Sequence, residues 1–515
     1  MDVLTTESSA PAIAKHISGR CITPASNLER AKDWLNDCIR NHNHDQVRTA
    51  TRPSRLVAVG TADGSASIKI VDGSDPDKGY LAVSYRWGGE TLLTTSETFE
   101  LFHISIPWKQ LPQTFQDAIH IARGLGIRYM WIDSLCIIQD NLADWETESA
   151  KMADIYKGAF LTIMAASASD SQGGFFRDRA TVKEIAALPY TNANGASEFS
   201  VFVHETLPSF HSSTFASRLF QRGWVFQERL MSKRNLIFGE DQKYWECNGI
   251  VQSESNIQSP NDWYLRLYAN FRVFCDPLHK TDGIDGQVSP AILWRNVVGQ
   301  FSACVLTYEA DRLPALSGIA RTFSQRFDSS YAAGLWQDQM PKGLEWCVHF
   351  QASKETHQGV YCAPSWSWAS TIGAVTFVDG INFELEIISI NIKLAGQDPY
   401  GRVCPGSSMC ARGRLCSGTV VRGKPHDPAV CLETEHGRFR SSLFLDRDDQ
   451  DLPLEVVCLE VSSGELGKRN AGCLLLCKTG EDKHFRRVGI AFLKHVPRDE
   501  DYLFHGIEKQ VVILV

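Results

Sequence analysis

A glutamate on an apolar helix face is the first residue whose position suggests chemistry. The segment from Leu142 to Lys157 has helical spacing, and its apolar stripe contains Trp145, Met152, Ile155 and Tyr156. Glu148 falls inside that stripe, whereas Glu146 falls well outside it. A partly desolvated carboxylate can act as a base or stabilise a developing cation, so Glu148 is the candidate catalytic residue. A structural alternative pairs Glu148 with Arg222 or Arg229.

Two groups of polar residues follow apolar runs of strand length. The first group follows YLAVS and consists of Tyr85, Arg86, Trp87 and Gly88. The second follows RYMWI and contains Asp133 and Cys136. Ligands bind at the carboxyl ends of parallel strands, where both groups would lie. The first group suits a phosphate or a close backbone approach, and the alternative is a tight turn with Trp87 in the core. Asp133 either caps backbone N–H groups or binds ligand, and Cys136 is either a nucleophile or simply a buried thiol.

A third polar group lies further along the chain, in RGWVFQER. It comprises Arg222, Trp224, Gln227, Glu228 and Arg229. Such a density of polar side chains around an aromatic predicts either the far wall of a ligand pocket or a polar seam in the domain core. Spacing alone leaves both alternatives open.

The elements that position these residues follow a strand, helix, strand, helix, strand order. Val83, Ile132 and Ile163 mark three apolar runs, and helical periodicity covers 111–124 and 142–158 between them. Near-continuous apolar strands alternating with helices are typical of a parallel sheet flanked by helices. We therefore predict an α/β fold in which the three runs are parallel and close neighbours.

The remaining sequence predicts further regions around this α/β unit. The expected organisation is an N-terminal segment with a short amphipathic helix (1–77), the α/β domain (78–250), a mainly helical region (251–360) and a β-rich C-terminal region (361–515). The last region is inferred from short alternating apolar runs punctuated by Gly and Pro.

Four segments, in order, resemble the fungal heterokaryon incompatibility (HET) domain family. They are AVSYRWGG, LPQTFQDAIHIARGLGIRYMWIDSLCIIQDN, ESAKMADIY and RGWVFQERLMS. Arg86 and Ile138 depart from the usual family pattern. The resemblance implies a fungal protein of non-self recognition that signals programmed cell death.

The HET domain is similar in fold to the TIR domain, a flavodoxin-like α/β unit. Some TIR domains cleave NAD with a glutamate carried on a helix. The resemblance therefore implies NAD as a candidate substrate and Glu148 as the residue that would act on it, with no cofactor required. A third alternative is an accessory or biosynthetic protein that has reused the fold.

Composition narrows the classes of partner. The formal net charge of -8 and the lack of a basic patch argue against nucleic-acid binding, and no apolar run is long enough to span a bilayer. We expect a cytoplasmic protein that works through a protein partner or self-association. The 15 cysteines are expected to be reduced thiols without disulfides. The spacings of Cys404, Cys410 and Cys416 and the isolation of His42 and His44 predict no metal site.

Overall fold

A computed structural model describes the chain in two compact units, Met1–Thr281 and Asp282–Val515. The residues that it describes are 2–5, 15–16, 24–42, 44, 51–61, 63, 65–75, 77–176, 184–191, 197–204, 210–247, 250–254, 267–268, 270–271, 274–275, 289–350, 360–422, 430–435, 437–439, 442–447, 450–463, 471–493 and 503–515.

The first unit contains both strands and helices within the described residues. Its strands are β1 (Asp2–Thr5), β2 (Lys15–His16), β3 (Arg55–Ala58), β4 (Lys69–Asp72), β5 (Tyr80–Ser84), β6 (Tyr129–Trp131), β7 (Leu161–Met164), β8 (Glu184–Thr191), β9 (Ser197–His204), β10 (Arg234–Phe238), β11 (Lys243–Cys247) and β12 (Val251–Ser253). Its helices are α1 (Pro24–Asn41), α2 (Phe99–Ile104), α3 (Gln113–Gly124), α4 (Asp133–Cys136), α5 (Leu142–Gly158), α6 (Phe210–Ala216) and α7 (Gly223–Met231).

The centre of the first unit is a sheet with the order β12-β11-β10-β7-β5-β6-β3-β4. Strands β10, β7, β5 and β6 are mutually parallel. Val83 lies opposite Ile163 in the ladder, and Ile132 follows the last residue of β6. Every residue of β5 and β7 is buried, which explains their unbroken apolar runs. The predicted parallel arrangement of the three runs is confirmed.

The sheet as a whole is mixed, which corrects the expectation of a purely parallel sheet. On one edge β3 pairs antiparallel with β6 and with β4, and on the other β11 pairs antiparallel with β10 and β12. The short link from Phe238 to Lys243 allows only a hairpin, because a parallel neighbour needs a long crossover. The hairpin of β3 and β4 comes from residues for which the sequence predicted only a helix.

Helices α3 and α5 have the bounds that periodicity predicted, within two residues. Helix α3 buries Phe115, Ile119 and Ala122 on its inner stripe. Helix α1, also predicted, packs against α3, where a side chain at Gly124 would collide with Leu28. A second, four-stranded sheet of the unit has the order β2-β1-β9-β8.

The second unit is dominated by antiparallel sheet, as the alternating C-terminal pattern predicted. Its helices are α8 (Pro290–Ser302), α9 (Pro314–Ser324) and α10 (Met340–Gly343). Its strands are β13 (Tyr331–Ala332), β14 (Leu335–Trp336), β15 (Trp346–Phe350), β16 (Ala374–Phe377), β17 (Glu386–Asn391), β18 (Ser408–Gly413), β19 (Leu415–Arg422), β20 (Val430–Thr434), β21 (Gly437–Phe439), β22 (Ser442–Leu445), β23 (Leu454–Ser462), β24 (Ala471–Lys478), β25 (His484–Leu493) and β26 (Gln510–Leu514).

Ten of these strands form one sheet in which β17-β18-β26-β25-β24-β23-β19-β20-β21 are successive neighbours and β22 also pairs with β25. The pair β25 and β26 is parallel, and the other neighbours are antiparallel. Its core includes Val420, Leu432, Cys458 and Leu475. No helix in the described part of the chain is both long and apolar enough to cross a bilayer.

Candidate functional site

Asp133 is the organising residue at the carboxyl ends of the central strands. It is the first residue of α4, directly after the end of β6, and its side chain is half-buried. The indole Nε1 of Trp87 donates to its Oδ2 at 2.6 Å, and the backbone N–H of Ser134 donates to its Oδ1 at 2.7 Å. Burial raises the pKa of this carboxyl, and the bond from Trp87 opposes the rise. These contacts support the loop-orienting role, and the ligand-binding role stays a prediction.

Arg222 brings the third polar segment to the same place. Its Nη1 donates to the backbone oxygen of Tyr85 at 3.2 Å, which joins the start of α7 to the end of β5. Its positive charge acts to lower the pKa values of Asp133 and Glu228, so the cation faces both carboxyls. Arg222 is half-buried and therefore reachable from outside the domain.

Glu228 is the most perturbed carboxyl of the group. It is 6 % exposed on α7, and burial raises its pKa to about 7 while the neighbouring Ser84 hydroxyl opposes the rise. The negative charge of Asp133 raises the pKa further. A carboxyl with this pKa exchanges its proton near neutral pH, as a general acid or base does.

Buried hydroxyls surround the two carboxyls. Ser84, Tyr85 and Ser134 have side-chain oxygens that are buried without a partner in hydrogen-bonding geometry, although they lie beside Asp133 or Glu228. Burial raises the pKa of Tyr85 far above its usual value, so its hydroxyl stays protonated. Buried hydroxyls beside carboxyls are the kind of polar groups that bind a ligand or ordered water. We call Ser84, Tyr85, Asp133, Arg222 and Glu228 the strand-end cluster.

Glu148, the predicted catalytic residue, has other partners. It is fully buried as expected, but its Oε1 accepts hydrogen bonds from Ser54 Oγ at 2.6 Å and from Lys151 Nζ at 2.7 Å. The predicted pairing of Glu148 with Arg222 or Arg229 is wrong. The reason is the edge hairpin, which delivers Ser54 next to α5 just before β3 begins.

Cys136 lies on the Glu148 side of the sheet end. Its carbonyl accepts a bond from Arg55 Nε at 2.7 Å, and Arg55 also forms an ion pair with Asp144 at 2.6 Å. Burial raises the pKa of the Cys136 thiol to about 12. A thiol with that pKa is protonated at neutral pH, so the contacts favour the buried-thiol alternative over the nucleophile.

The remaining predicted residues are spread around the strand-end cluster. Arg229 is fully buried in an ion pair with Glu246 at 2.9 Å, so it belongs to a polar seam between α7 and β11. Gln227 is buried and Trp224 half-buried on the same helix. Arg86 donates to the backbone oxygen of Ser169 at 3.0 Å, which ties down the loop after β5.

Gly88 follows in that loop at a position with little free space. A Cβ atom there would lie 3.1 Å from the Cβ of Asp170. Its carbonyl accepts hydrogen bonds from the hydroxyls of Thr91 and Ser171 at 3.3 and 3.4 Å. The loop is therefore a packed turn, which favours the structural alternative for Gly88.

The strand-end cluster therefore contains four predicted residues and one that sequence reasoning missed. Tyr85, Asp133, Arg222 and Glu228 were predicted, and the structure adds Ser84 from the strand itself. Tyr156 lies beside the cluster, because its pKa is raised by burial and by the nearby Glu228 charge. Both were counted as apolar-run or core residues, and a hydroxyl at the last position of a buried strand was the signal that could have identified Ser84.

A cavity of about 630 Å³ lies in the second unit. Its lining includes Tyr361, Ser370, Asp446 and Arg487. Arg487 is already satisfied, because it pairs with Asp446 at 3.1 Å and donates to the backbone oxygen of Leu344 at 2.7 Å. The perturbed carboxyls of the first unit make a better case for chemistry than this cavity does.

The first unit is thus an α/β domain with a parallel centre whose polar residues converge at the strand ends, the position at which such sheets bind ligands. The family model described as Heterokaryon incompatibility protein (HET) matches residues 80–228. This segment is a HET domain, and it contains the whole strand-end cluster. No curated protein and no solved structure matches the chain.

Proposed function

We propose that this chain is a heterokaryon incompatibility-type protein that acts in fungal non-self recognition and signals programmed cell death. The observation that supports the proposal is the HET match over 80–228, the segment that holds the strand-end cluster. We further propose that it acts in the cytoplasm through a protein partner or self-association, with no bound cofactor.

The strand order supports a flavodoxin-like and TIR-like assignment for this domain. Counted along the chain, the four parallel strands β5, β6, β7 and β10 are arranged 2-1-3-4 across the sheet. That is the beginning of the flavodoxin-like order, and its ligand site is the crevice between the first and third strands. Ser84 and Tyr85 lie at this point, at the end of β5.

Within this proposal the strand-end cluster is the part of the domain that senses or processes a small ligand. Arg222 supplies a positive charge that is reachable from outside, and Trp87 supplies a flat aromatic ring held by Asp133. An anion that also carries an aromatic ring fits such a pair, because the guanidinium binds phosphate and the indole stacks. Nucleotides belong to this chemical class.

Controlled expression in a filamentous fungus tests the signalling role. The full chain is expected to cause cell death, and Asp133→Asn and Glu228→Gln are expected to abolish it at equal protein level. Glu146→Gln, which changes an exposed glutamate on α5, is the matched control and is expected to kill like the wild type. A wild-type chain that leaves the cells healthy would contradict the proposed function.

A second candidate function is NAD cleavage, and the placement of two carboxyls, Glu228 and Asp133, close together at the strand ends is the observation that favours it. Cleavage of the nicotinamide bond develops positive charge on the ribose, which an adjacent carboxylate stabilises. In this version Glu228 acts beside Asp133, and Glu148 remains the alternative catalytic residue that the TIR resemblance implies.

Incubation of the purified full chain with NAD tests this candidate directly. If Glu228→Gln abolishes nicotinamide release and the Glu148→Gln protein still releases it, the reaction is assigned to Glu228. The reverse result would assign it to Glu148. Absence of nicotinamide would contradict the enzymatic version while leaving ligand sensing to the cell-death experiment.

A further inference from the structure

Four potential metal ligands converge at the flank of the HET domain. They are Cys38, His42, His44 and Cys247, and one ligand atom from each lies within 4.8 Å of the others. The prediction that His42 and His44 are isolated is wrong. Cys247 lies far along the chain, 205 residues after His42.

Local structure explains how the three N-terminal ligands come together. Cys38 is on α1, and the backbone N–H of His42 donates to the Cys38 carbonyl at 2.9 Å, which extends the helical turn by one step. Residues four apart on a helix share a face, so the thiol and the imidazole point the same way. The backbone N–H of His44 donates to the His42 carbonyl at 3.1 Å, which keeps the two residues close together.

Cys247 reaches the same place from the sheet, because it is the last residue of β11. Its Sγ lies 3.3 Å from Nδ1 of His42. Atoms at the usual zinc–sulfur and zinc–nitrogen bond lengths stand roughly 3.3 to 3.8 Å apart around a tetrahedral ion. The four side chains therefore need only a small inward movement to complete a tetrahedron.

His44 supplies an independent indication that a ligand belongs here. The residue is only 8 % exposed, and its Nε2 is a buried polar atom without a hydrogen-bond partner. Burial of such an atom costs free energy unless it is satisfied. A metal ion at the centre of the cluster would satisfy it.

Arg234 provides the outer support that thiolate ligands require. It lies opposite Cys247 in the ladder between β10 and β11, is fully buried, and its Nε donates to Cys38 Sγ at 3.3 Å. A hydrogen bond from outside the ligand set holds the sulfur in one orientation, as the outer partners of metal ligands commonly do.

We propose that Cys38, His42, His44 and Cys247 bind one zinc ion as a closed structural site. Two thiolates and two imidazoles form the ligand set that zinc prefers in tetrahedral structural sites, and two protons leave the thiols when the ion binds. With four protein ligands the ion has no open position for substrate, so its role is to hold the fold. All four ligands lie outside 80–228, so the ion links the segment before the HET domain to β11, the strand that ends at Cys247.

Metal content of the full chain tests the proposal without any variant. Protein purified after growth with added zinc is expected to carry one zinc ion per chain by native mass spectrometry. Cobalt substituted for zinc is expected to give the intense near-ultraviolet band of sulfur-to-cobalt charge transfer. A metal-free wild type with a disulfide between Cys38 and Cys247, or with two free thiols there, would overturn the proposal.

Single variants then assign the ligands. Loss of an outer-sphere partner commonly lowers metal affinity 10- to 100-fold, so loss of a direct ligand in His44→Ala is expected to lower zinc affinity by more than about 100-fold in chelator competition. His120→Ala on the exposed face of α3 and Cys410→Ser in the second unit are the matched controls and should keep wild-type affinity. A His44→Ala protein that retains wild-type zinc affinity contradicts the assignment.

Discussion

Two buried glutamates of the first unit have contrasting surroundings. Glu148 receives an ammonium group from Lys151 and a hydroxyl from Ser54, so its charge is compensated where it lies. Glu228 has hydroxyl neighbours and the negative Asp133 close by, with Arg222 as its nearby cation. At Glu228, burial and the Asp133 charge outweigh Arg222 and raise the pKa to about 7, whereas the ion pair of Glu148 holds structure together.

Glu228→Gln is predicted to change how stability depends on pH. In the unfolded chain this carboxyl ionises near its ordinary value of 4.5, and in the folded chain at about 7. Between these pH values the folded protein binds more protons, so stability falls as pH rises, and the full penalty is present above pH 7. At about 1.4 kcal/mol for each tenfold change in proton affinity, the penalty is on the order of 3 kcal/mol.

The measurement is urea unfolding of wild type and Glu228→Gln at pH 4.5 and pH 8. The stability of the variant relative to wild type should increase between the two pH values, because glutamine has no charge to desolvate. Glu146→Gln should show no such change. A difference that is constant with pH contradicts the buried, protonated state of Glu228.

Glu148→Gln is predicted to destabilise the protein by about 2 kcal/mol, since it replaces charge-assisted hydrogen bonds with weaker neutral ones and leaves the Lys151 ammonium without its counter-charge. This loss of stability is smaller than that for a fully buried ion pair, because the Lys151 side chain is 26 % exposed and water screens its charge. Urea unfolding measures the loss, with Glu146→Gln again as control. Wild-type stability together with lost NAD cleavage or cell death would instead make Glu148 a functional residue.

Among the secondary-structure elements, the β3–β4 hairpin stabilises the HET domain in two ways. It covers the edge of β6, which would otherwise expose unpaired backbone groups. It also brings Ser54 to Glu148 and Arg55 to Asp144. The polar residues of α5 are therefore satisfied by a segment that precedes the family match.

A fragment of residues 78–254 is predicted to be unstable, whereas a fragment of 24–254 folds. The shorter one lacks both hairpin strands and leaves the carboxylates of Glu148 and Asp144 without Ser54 and Arg55. Soluble yield, circular dichroism and thermal unfolding distinguish them. Equal stability of the two fragments would show that the hairpin is dispensable and that a boundary near residue 78 is adequate.

The beginning of α5 depends on a side-chain cap. The Oδ1 of Asn141 accepts the backbone N–H of Asp144 at 3.1 Å. Asn141→Ala is predicted to lower stability by about 1 kcal/mol, because one backbone N–H of the helix loses its acceptor. Asn141→Asp should have nearly wild-type stability, because its carboxylate accepts the same hydrogen bond. Equal unfolding midpoints for the alanine and aspartate variants would contradict the capping role.

At the scale of the whole molecule, the chain has two units with separate cores. The HET segment and the zinc ligands belong to Met1–Thr281, and the large antiparallel sheet belongs to Asp282–Val515. The fragments 1–281 and 282–515 are each predicted to unfold cooperatively when expressed alone. Calorimetry of each fragment measures this. A fragment that shows no cooperative transition would indicate that its core needs the other unit.

Elements that rest on local pattern were predictable from the sequence alone. Strands β5, β6 and β7 were identified because burial on both faces leaves an unbroken apolar run. Helices α3 and α5 were identified because burial on one face leaves a helical period. Tyr85 and Asp133 were also identified as candidates because they follow buried strands, where polar groups need partners, and Arg222 and Glu228 because they belong to a dense polar segment.

Which side chains meet depends on how the whole unit folds. Ser54 and Glu148 are 94 residues apart, and the cluster of Cys38 and Cys247 depends on α1 lying against the last residue of β11. The edge hairpin brings Ser54 to α5, and the β10–β11 ladder places Arg234 beside Cys38. Local periodicity carries no information about strand register or about which distant segment completes an edge, because those are settled by packing over the whole domain.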